Sequence, residues 1–451
     1  MTTQTFLITV VPVNDVPTLP ALADQVLLEN VANTQTVALT PVSAGAPNEL
    51  EDVNAGATTL ESTTNVVMAA AANVIGETLE IDGTVFTYVT ATGTATDIVV
   101  AAGDSAITVA TKTAAAVNAQ GGIDIARATD NFVALDVDSS LVTGSSTEAF
   151  AVSGQNDLIT GFNLNGVTNE LEYEVVPEAF GEATITITLM DAGIDGLFVD
   201  DPTTSRDETA DNLSVDRAFR ITVTPVNDAP TMDTVDPQTV NEDATEQSVD
   251  LTAIRAISLP TVNELEDLRV SATLHATTTV AINNGANVVG EKLTIDGTEF
   301  TYVTAAGAAT DIVVAAGDSA ITVATKTAAA VNSQLGVGTV AASNNTINTA
   351  ETVLVSSADH FAVMSSSGIV GGLAVDYTSR DTTGTFRYIP LNDAFGVVTV
   401  TITTEDAGTD GLFEDDPLTT TRDESADNVS TDRTFTITVT PDNDTPTLNP
   451  L

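Results

Sequence analysis

The sequence predicts a mainly β chain, built as two tandem β-sandwiches that are each interrupted by a small α+β module. Three observations carry that expectation. The first is internal repetition. The phrase TPVNDAPT at 224–231 stands close to VPVNDVPT at 11–18 and TPDNDTPT at 440–447, with 213 residues from Pro12 to Pro225 and 216 from Pro225 to Pro441. Between these phrases the same landmarks recur in order. NELED occurs at 48–52 and 263–267, TDIVVAAGDSAITVATKTAAAVN is identical at 96–118 and 310–332, and SRDETADNLSVDR (205–217) matches TRDESADNVSTDR (421–433). The second observation is strict alternation. GEATITITLMDAG (181–193) sets Ala183, Ile185, Ile187 and Leu189 on one face, and GVVTVTITTEDAG (396–408) does the same with Val398, Val400 and Ile402. Alternation of β-branched residues marks a half-buried antiparallel strand, and several such runs with turn signals between them mark a sandwich. The third is one stretch of a different period. GDSAITVATKTAAAVN (103–118) places Ile107, Ala110, Ala114 and Val117 at helical spacing, with Asp104 or Ser105 available to cap the start. Before it, LEIDGTVFTYVT carries the Asp82-Gly83 pair of a tight hairpin.

These landmarks set the expected organisation. Residues 1–11 read as the last strand of a preceding repeat, because TFLITVVPVND aligns with AFRITVTPVND (218–228) and TFTITVTPDND (434–444). Residues 12–228 form the first sandwich, with a ββα-type insert at about 65–154. Residues 229–445 form the second, with its insert at about 277–368, and 446–451 begin a following repeat.

Composition narrows the function. The chain has 63 Asp and Glu against 13 Lys and Arg, a formal charge of −50, which argues against polyanionic partners such as nucleic acid or an anionic membrane surface. So acidic a chain repels itself unless salt or bound divalent cations offset the charge. Hydrophobic residues make up 43%, enough for packed cores. Cys is absent, so disulfides and thiolate metal sites are excluded. Apolar runs such as VVMAAAANVI (66–75) fall well short of the roughly 20 residues that cross a bilayer.

The phrase V-N-D-A-P after a T-x-T-V-T strand, N-E-D-A at 241–244 and the D-A-G-x-D-G turn together resemble bacterial cadherin-like tandem repeats of giant surface adhesins and related extracellular multi-repeat proteins. The resemblance covers the sandwich portions and not the inserts. It implies seven-stranded Greek-key sandwiches stacked end to end with Ca2+ at the joints. Carried onto this chain, the implied ligands at the middle joint are Glu29, Asn227, Asp228, Glu266, Asp267, Asp406 and Asp410. The equivalents at the front of the first unit are Asn14, Asp15, Glu51, Asp52, Asp191 and Asp195, and those at the end of the second are Glu242, Asn443 and Asp444. Calcium takes six to eight oxygen ligands, and the Asn-Asp phrase supplies an amide oxygen and a carboxylate, with Pro225 and Pro230 restricting the linker on either side. The chain departs from the better-known cadherin pattern in two places. Pro225 stands where an Asp is expected, and the Asp-Arg-Glu motif is not evident.

The long acidic loop at 405–433 has two readings. It is a further calcium site using Asp415, Asp416, Asp423 and Asp427, or a solvated loop partly neutralised by Arg422 and Arg433. The expected role is therefore non-enzymatic: a calcium-stiffened segment of a secreted or surface-displayed protein, first as an adhesin stalk. The alternatives are a self-assembling surface-layer or filament subunit and, more remotely, a glycan-active hydrolase. Partners would be neighbouring repeats, identical subunits, or a cell-surface or glycan receptor. Against catalysis, the two His, His275 and His360, both lie in the second unit, with Leu60 or a neighbour and Asn131 near the corresponding positions of the first.

Overall fold

The strands with the strictest alternation are also the longest in the computed structural model, which describes residues 7–9, 13–31, 34–44, 52–121, 125–165, 169–193, 197–199, 212–256, 265–336, 338–414 and 428–442. The chain divides into two compact units. One holds 1–228 with 259–267 and 407–428; the other holds 229–258, 268–406 and 429–451.

The first unit opens with β1 (Gln25–Leu28), β2 (Gln35–Ala38) and β3 (Val53–Leu60). An insert follows: β4 (Thr64–Met68), α1 (Ala71–Val74), β5 (Thr78–Ile81), β6 (Thr84–Val89), β7 (Asp97–Val99), α2 (Ala106–Gly121), β8 (Ala126–Thr129), β9 (Phe132–Leu135), β10 (Val142–Gly144) and β11 (Phe150–Gly154). The chain then returns through β12 (Ile159–Asn165), β13 (Glu170–Val175), β14 (Gly181–Asp191) and β15 (Ser214–Thr224). One sheet has the order β1-β15-β14-β3 and the facing sheet the order β12-β13-β2, giving a seven-stranded Greek-key sandwich with the insert between its third and fourth strands. β1 pairs parallel with β15, Gln25 opposite Ile221, and the other pairings are antiparallel. Ala183, Ile185, Ile187 and Leu189 all point inward and are buried, meeting Phe219, Ile221 and Val223 of β15.

The second unit repeats this with β16 (Gln238–Asn241), β17 (Gln247–Thr252), β18 (Leu268–Leu274), β19 (Thr278–Ile282), α3 (Gly285–Val288), β20 (Lys292–Ile295), β21 (Thr298–Val303), β22 (Asp311–Val313), α4 (Ala320–Leu335), β23 (Ala341–Ser343), β24 (Thr346–Thr349), β25 (Val353–Val355), β26 (Phe361–Ser365), β27 (Val370–Asp376), β28 (Thr383–Pro390), β29 (Gly396–Asp406) and β30 (Ser430–Thr440). Its sheets run β16-β30-β29-β18 and β17-β28-β27.

Each insert contains the expected hairpin and helix but is larger than a ββα module. It carries two four-stranded sheets, β10-β5-β6-β7 and β11-β4-β9-β8 in the first copy. The added strands β7, β8 and β10 are three or four residues long, too short for alternation to show in the sequence. The Asp82-Gly83 turn has φ of 45° and 75°, and Asp296-Gly297 repeats it at 46° and 74°, as a two-residue hairpin turn requires. The helix start is settled in favour of serine. Ser105 Oγ accepts the Thr108 N–H at 3.3 Å, and Ser319 Oγ accepts that of Thr322 at 3.2 Å. The preceding aspartates do other work: Asp104 accepts the Ala101 N–H at 2.8 Å and pairs with Lys112, and Asp318 does the same with Ala315 and Lys326.

Register also fixes the histidine alignment, keeping the first counterpart next to Leu60 and moving the second. β3 ends at Leu60 opposite Ile185 and β18 at Leu274 opposite Val400, so His275 corresponds to Glu61. Ser145 and Ser356 occupy equivalent places, bonded to Glu77 and Glu291, so His360 corresponds to Ala149 and not to Asn131. Asn131 is itself buried next to Asp130, in the turn between β8 and β9.

Inside each insert a tyrosine crosses to the helix. Tyr88 Oη lies 2.8 Å from Thr113 Oγ1 and Tyr302 Oη 2.9 Å from Thr327 Oγ1. Both threonine hydroxyls donate to backbone carbonyls, Thr113 to Val109 and Thr327 to Val323, so the tyrosine is the donor in each pair. Tyr302→Phe is expected to cost about 1 kcal/mol, the typical net value of one intramolecular hydrogen bond, measured by urea denaturation of the full chain.

Candidate metal centre

The turn after β1, the turn between β13 and β14 and the chain leaving β15 all lie at one end of the first sandwich. Each brings an acid there. Glu29 follows β1 and is 3% exposed. Its Oε1 accepts the Val226 N–H at 2.5 Å, holding the chain as it leaves β15, while its buried Oε2 accepts no hydrogen bond among the described residues. Glu178 sits in the β13–β14 turn with φ 57° and exchanges two bonds with Asn30: its N–H donates to Asn30 Oδ1 at 3.1 Å, and Asn30 Nδ2 donates to its Oε2 at 3.0 Å. Asp228 ends the Asn-Asp phrase and lies beside Glu178, which raises the Asp228 carboxyl.

The electrostatics follow from this crowding. Burial first, then the charges of Asp228 and Glu178, push the Glu29 carboxyl up to about 7, against the lowering effect of the Val226 N–H. Burial and the hydrogen bond with Glu178 push Asp228 up to about 6. None of the three carboxylates forms an ion pair among the described residues.

Sequence reasoning placed Glu29, Asn227 and Asp228 at this end but missed Glu178. The signal was available in both copies. VVPEAFGEA (175–183) and YIPLNDAFGVV (388–398) carry an acid at the same turn, and Asp393, with φ 55°, donates its N–H to Asp243 Oδ1 at 3.2 Å as Glu178 does to Asn30. The acid stands alone there, without the Asp-Arg-Glu pattern. In the second unit Glu242, 6% exposed, accepts the Asp442 N–H at 2.7 Å, the counterpart of Glu29 with Val226. Asn443 and Asp444 lie outside the described residues.

At the opposite end of the first sandwich, Asp191 closes β14 and is fully buried. Its Oδ1 accepts three donors at 3.0 Å: Asn14 Nδ2, the Gly193 N–H and the Leu213 N–H. Its buried Oδ2 accepts none among the described residues, nor does the buried Asn212 Oδ1 one residue before Leu213. Ala192 N–H donates to the Asp52 carbonyl at 2.9 Å. The structure thus joins Asn14 of the first Asn-Asp phrase to Asp191 and brings Asp52 beside that turn through its backbone. Asp15 is described but makes none of these contacts, and Glu51 and Asp195 lie outside the described residues.

Asp406 ends β29 in the same way, fully buried, with Oδ1 accepting the Val429 N–H at 3.0 Å. Glu266, Asp267 and Asp410 belong to the segments that group with the first unit. Glu266 and Asp410 are buried, and Asp410 Oδ1 accepts the Leu412 N–H at 2.9 Å. The Asp267 carboxylate accepts Asn73 Nδ2 at 2.8 Å, and the Asp410 carbonyl accepts the Ala106 N–H at 2.8 Å, the first helical donor of α2. Asp415, Asp416, Asp423 and Asp427 lie outside the described residues.

The donor chemistry at each end suits a hard cation: carboxylate, amide and backbone oxygens, with Glu29 Oε2 at one end and Asp191 Oδ2 at the other buried and without a hydrogen bond among the described residues. Among the described residues, however, no group of three or more Asp, Glu or His is already drawn into a metal-binding cluster. An ion here would take amide and carbonyl oxygens alongside the acids.

No protein-family model matches the chain, and no curated protein matches it. Among solved structures it is similar to titin domains Z1Z2 in complex with telethonin, at 8% identity and a TM-score of 0.23, over 96% of this chain and 100% of that one. It is also similar to an endo-fucoidan hydrolase of glycoside hydrolase family 107 (8%, TM-score 0.16, 71% of this chain and 38% of that one). A third likeness is to the major pilin subunit of Bacillus cereus (8%, TM-score 0.16, 61% and 59%). Scores this low carry no argument about function.

Proposed function

We propose that the chain is a structural segment of an extracellular, surface-displayed repeat protein, an adhesin stalk, whose acidic sandwich ends bind calcium and are stiffened by it. The observation that carries this reading is the meeting of Glu29, Glu178 and Asp228 at one end of the first sandwich. Like charges are gathered there, and none of the three acids forms an ion pair with a side-chain cation among the described residues. Carboxylates buried together are costly unless something positive joins them. The same positions are acidic in the second copy's sequence, as Glu242, Asp393 and Asp444. A net charge of −50 adds a general demand for cations. No helix among the described residues is long and apolar enough to cross a membrane.

A structural rather than catalytic role is supported by the histidines. His275 Nε2 lies 2.6 Å from Thr401 Oγ1 within its sheet. His360 Nδ1 faces both Glu291, at 3.0 Å, and Ser357, at 3.5 Å. A hydrolytic triad needs the carboxylate and the nucleophile on opposite ring nitrogens. The first copy, with Glu61 and Ala149 there, has neither imidazole.

The test is thermal unfolding of the full chain in calcium and in chelator. With an extracellular-type affinity of about 10⁻⁴–10⁻³ M, 10 mM calcium adds roughly 1.4–2.7 kcal/mol per site. That corresponds to a rise of about 3–10 °C for domains of this size. Glu29→Gln combined with Glu178→Gln should remove part of the rise. An unchanged transition in calcium would sink the reading. Electron microscopy in calcium separates isolated rods, expected for a stalk, from ordered sheets, expected for a lattice subunit.

A further inference from the structure

The two inserts are near-copies in their hairpin and helix, yet they meet their own sandwiches through different chemistry. In the first unit the seam is apolar and bonded. Val67, Phe132 and Ala134 of the insert belong to the same buried cluster as Ile185 and Phe219 of the sandwich, and Phe132 packs on Phe180 with ring centroids 6.0 Å apart. Asn65, fully buried on β4, closes two hydrogen bonds with the backbone of Glu182 on β14: its Oδ1 accepts the N–H at 2.8 Å and its Nδ2 donates to the C=O at 3.0 Å. Arg127 on β8 reaches the Glu182 carboxylate at 2.6 Å and also pairs with Asp136, while Arg220 approaches Glu182 from β15 at 3.5 Å.

Strand register identifies the matching residues in the second unit, and the seam is dismantled there position by position. Val67 becomes Ala281, Phe132 becomes Thr346, Ala134 becomes Asn348 and Asn65 becomes Thr279. Arg127 becomes Ala341 and Asp136 becomes Ala350; Glu182 becomes Val397 and Arg220 becomes Thr436. What remains is polar and incomplete. Thr279 Oγ1 donates to Asn348 Oδ1 at 2.6 Å, and the Val397 N–H reaches the same oxygen only at 3.4 Å. The buried Asn348 Nδ2 has no hydrogen-bond partner among the described residues. The insert core and the sandwich core form separate clusters, with Met364 the insert residue that reaches the sandwich, partly buried.

We infer that the first insert and its sandwich open as one cooperative unit, whereas the second insert opens on its own while its sandwich stays folded. The physical reason is local. Stability is transmitted across a boundary by shared burial and completed hydrogen bonds, and a boundary with an unsatisfied buried donor transmits little. The inference stands apart from any bound ion, since none of the seam residues is a proposed ligand. For a stalk, it would give one rigid element and one element that yields first.

Native-state hydrogen exchange on the full chain tests this with a built-in control. Residues 106–118 of α2 and 320–332 of α4 are identical in sequence, so their intrinsic exchange chemistry is matched. Peptides extending into Ala119 or Ser333 tell the copies apart. In the first unit, α2 is expected to be protected to the level of β14. In the second, α4 should exchange at least about tenfold faster than β29. Equal protection of α4 and β29, or weaker protection of α2 than of β14, would overturn the inference. A seam graft reads the cause. Thr279→Asn, Ala341→Arg, Thr346→Phe, Asn348→Ala and Val397→Glu together should slow α4 exchange toward the level of β29, and no slowing would refute the assignment to these residues. The reverse graft, Asn65→Thr with Arg127→Ala, Phe132→Thr and Ala134→Asn, uses residues the second copy already tolerates and should free α2.

Discussion

Asp191→Ala is expected to destabilise the first sandwich by about 3–5 kcal/mol, because it strands three donors at once in a site with no access to water. Asn14 Nδ2, the Gly193 N–H and the Leu213 N–H all converge on Oδ1 of a fully buried carboxylate. Those bonds tie together three parts of the chain far apart in sequence: the opening Asn-Asp phrase, the end of β14 and the start of β15. Asp191→Asn keeps an acceptor oxygen at Oδ1 and should cost roughly 1–2 kcal/mol, since charge-assisted bonds weaken to neutral ones. The two variants separate two roles. If the carboxylate serves only as a backbone acceptor, the Asn variant keeps the whole gain in melting temperature from calcium. If the unbonded Oδ2 is a ligand, the Asn variant loses part of that gain even though it folds. Urea titrations in chelator give the first quantity, and thermal scans with and without calcium give the second. An Ala variant within 1 kcal/mol of the parent would show that the donors find other partners.

Much of this architecture is legible because duplication prints it twice. The alternation in β14 and β29 is clean at their centres, where Thr184, Thr186 and Thr188, and Thr399, Thr401 and Thr403, lie on the face opposite the core. The tight turn at Asp82-Gly83 is readable because its backbone conformation admits few residue types. What could not be read is the set of short strands that complete the insert. β8 (ARAT) and β10 (VTG) have no periodicity of their own and owe their conformation to neighbours on the sheet. The candidate site divides in the same way. Glu29 and Asp228 stand in recognisable phrases, whereas Glu178 is one acid in an ordinary turn. Its proximity to Asp228 is a fact of topology, set by where β13 turns into β14 relative to the exit from β15. The seam between insert and sandwich was wholly invisible, because Asn65 and Arg127 acquire meaning only once Glu182 is beside them.

The pH dependence of stability should change sign with calcium. In chelator, the folded state holds a proton on Glu29 up to about pH 7, against 4.5 for the ordinary carboxyl, and on Asp228 up to about 6, against 3.8. Between those values the folded chain binds more protons than the unfolded chain, so stability falls as pH rises. The contribution is fully present below about pH 4 and lost by about pH 7. Melting temperature in chelator should therefore decline across that window. Glu29→Gln, which keeps an oxygen for the Val226 N–H but cannot ionise, should flatten roughly half of the decline and raise stability at pH 7. A calcium ion requires the same carboxylates deprotonated, so its affinity should grow over the interval in which the metal-free protein weakens. Binding near pH 6 should release protons, measurable by calorimetry in buffers of different ionisation enthalpy. Two outcomes would count against the acidic cluster as the place where calcium acts: a chelator profile that does not fall between pH 4.5 and 7, or calcium binding without proton release at pH 6. The first would mean that Glu29, Glu178 and Asp228 are not crowded in solution, and the second that the ion is held elsewhere on a chain with acids to spare.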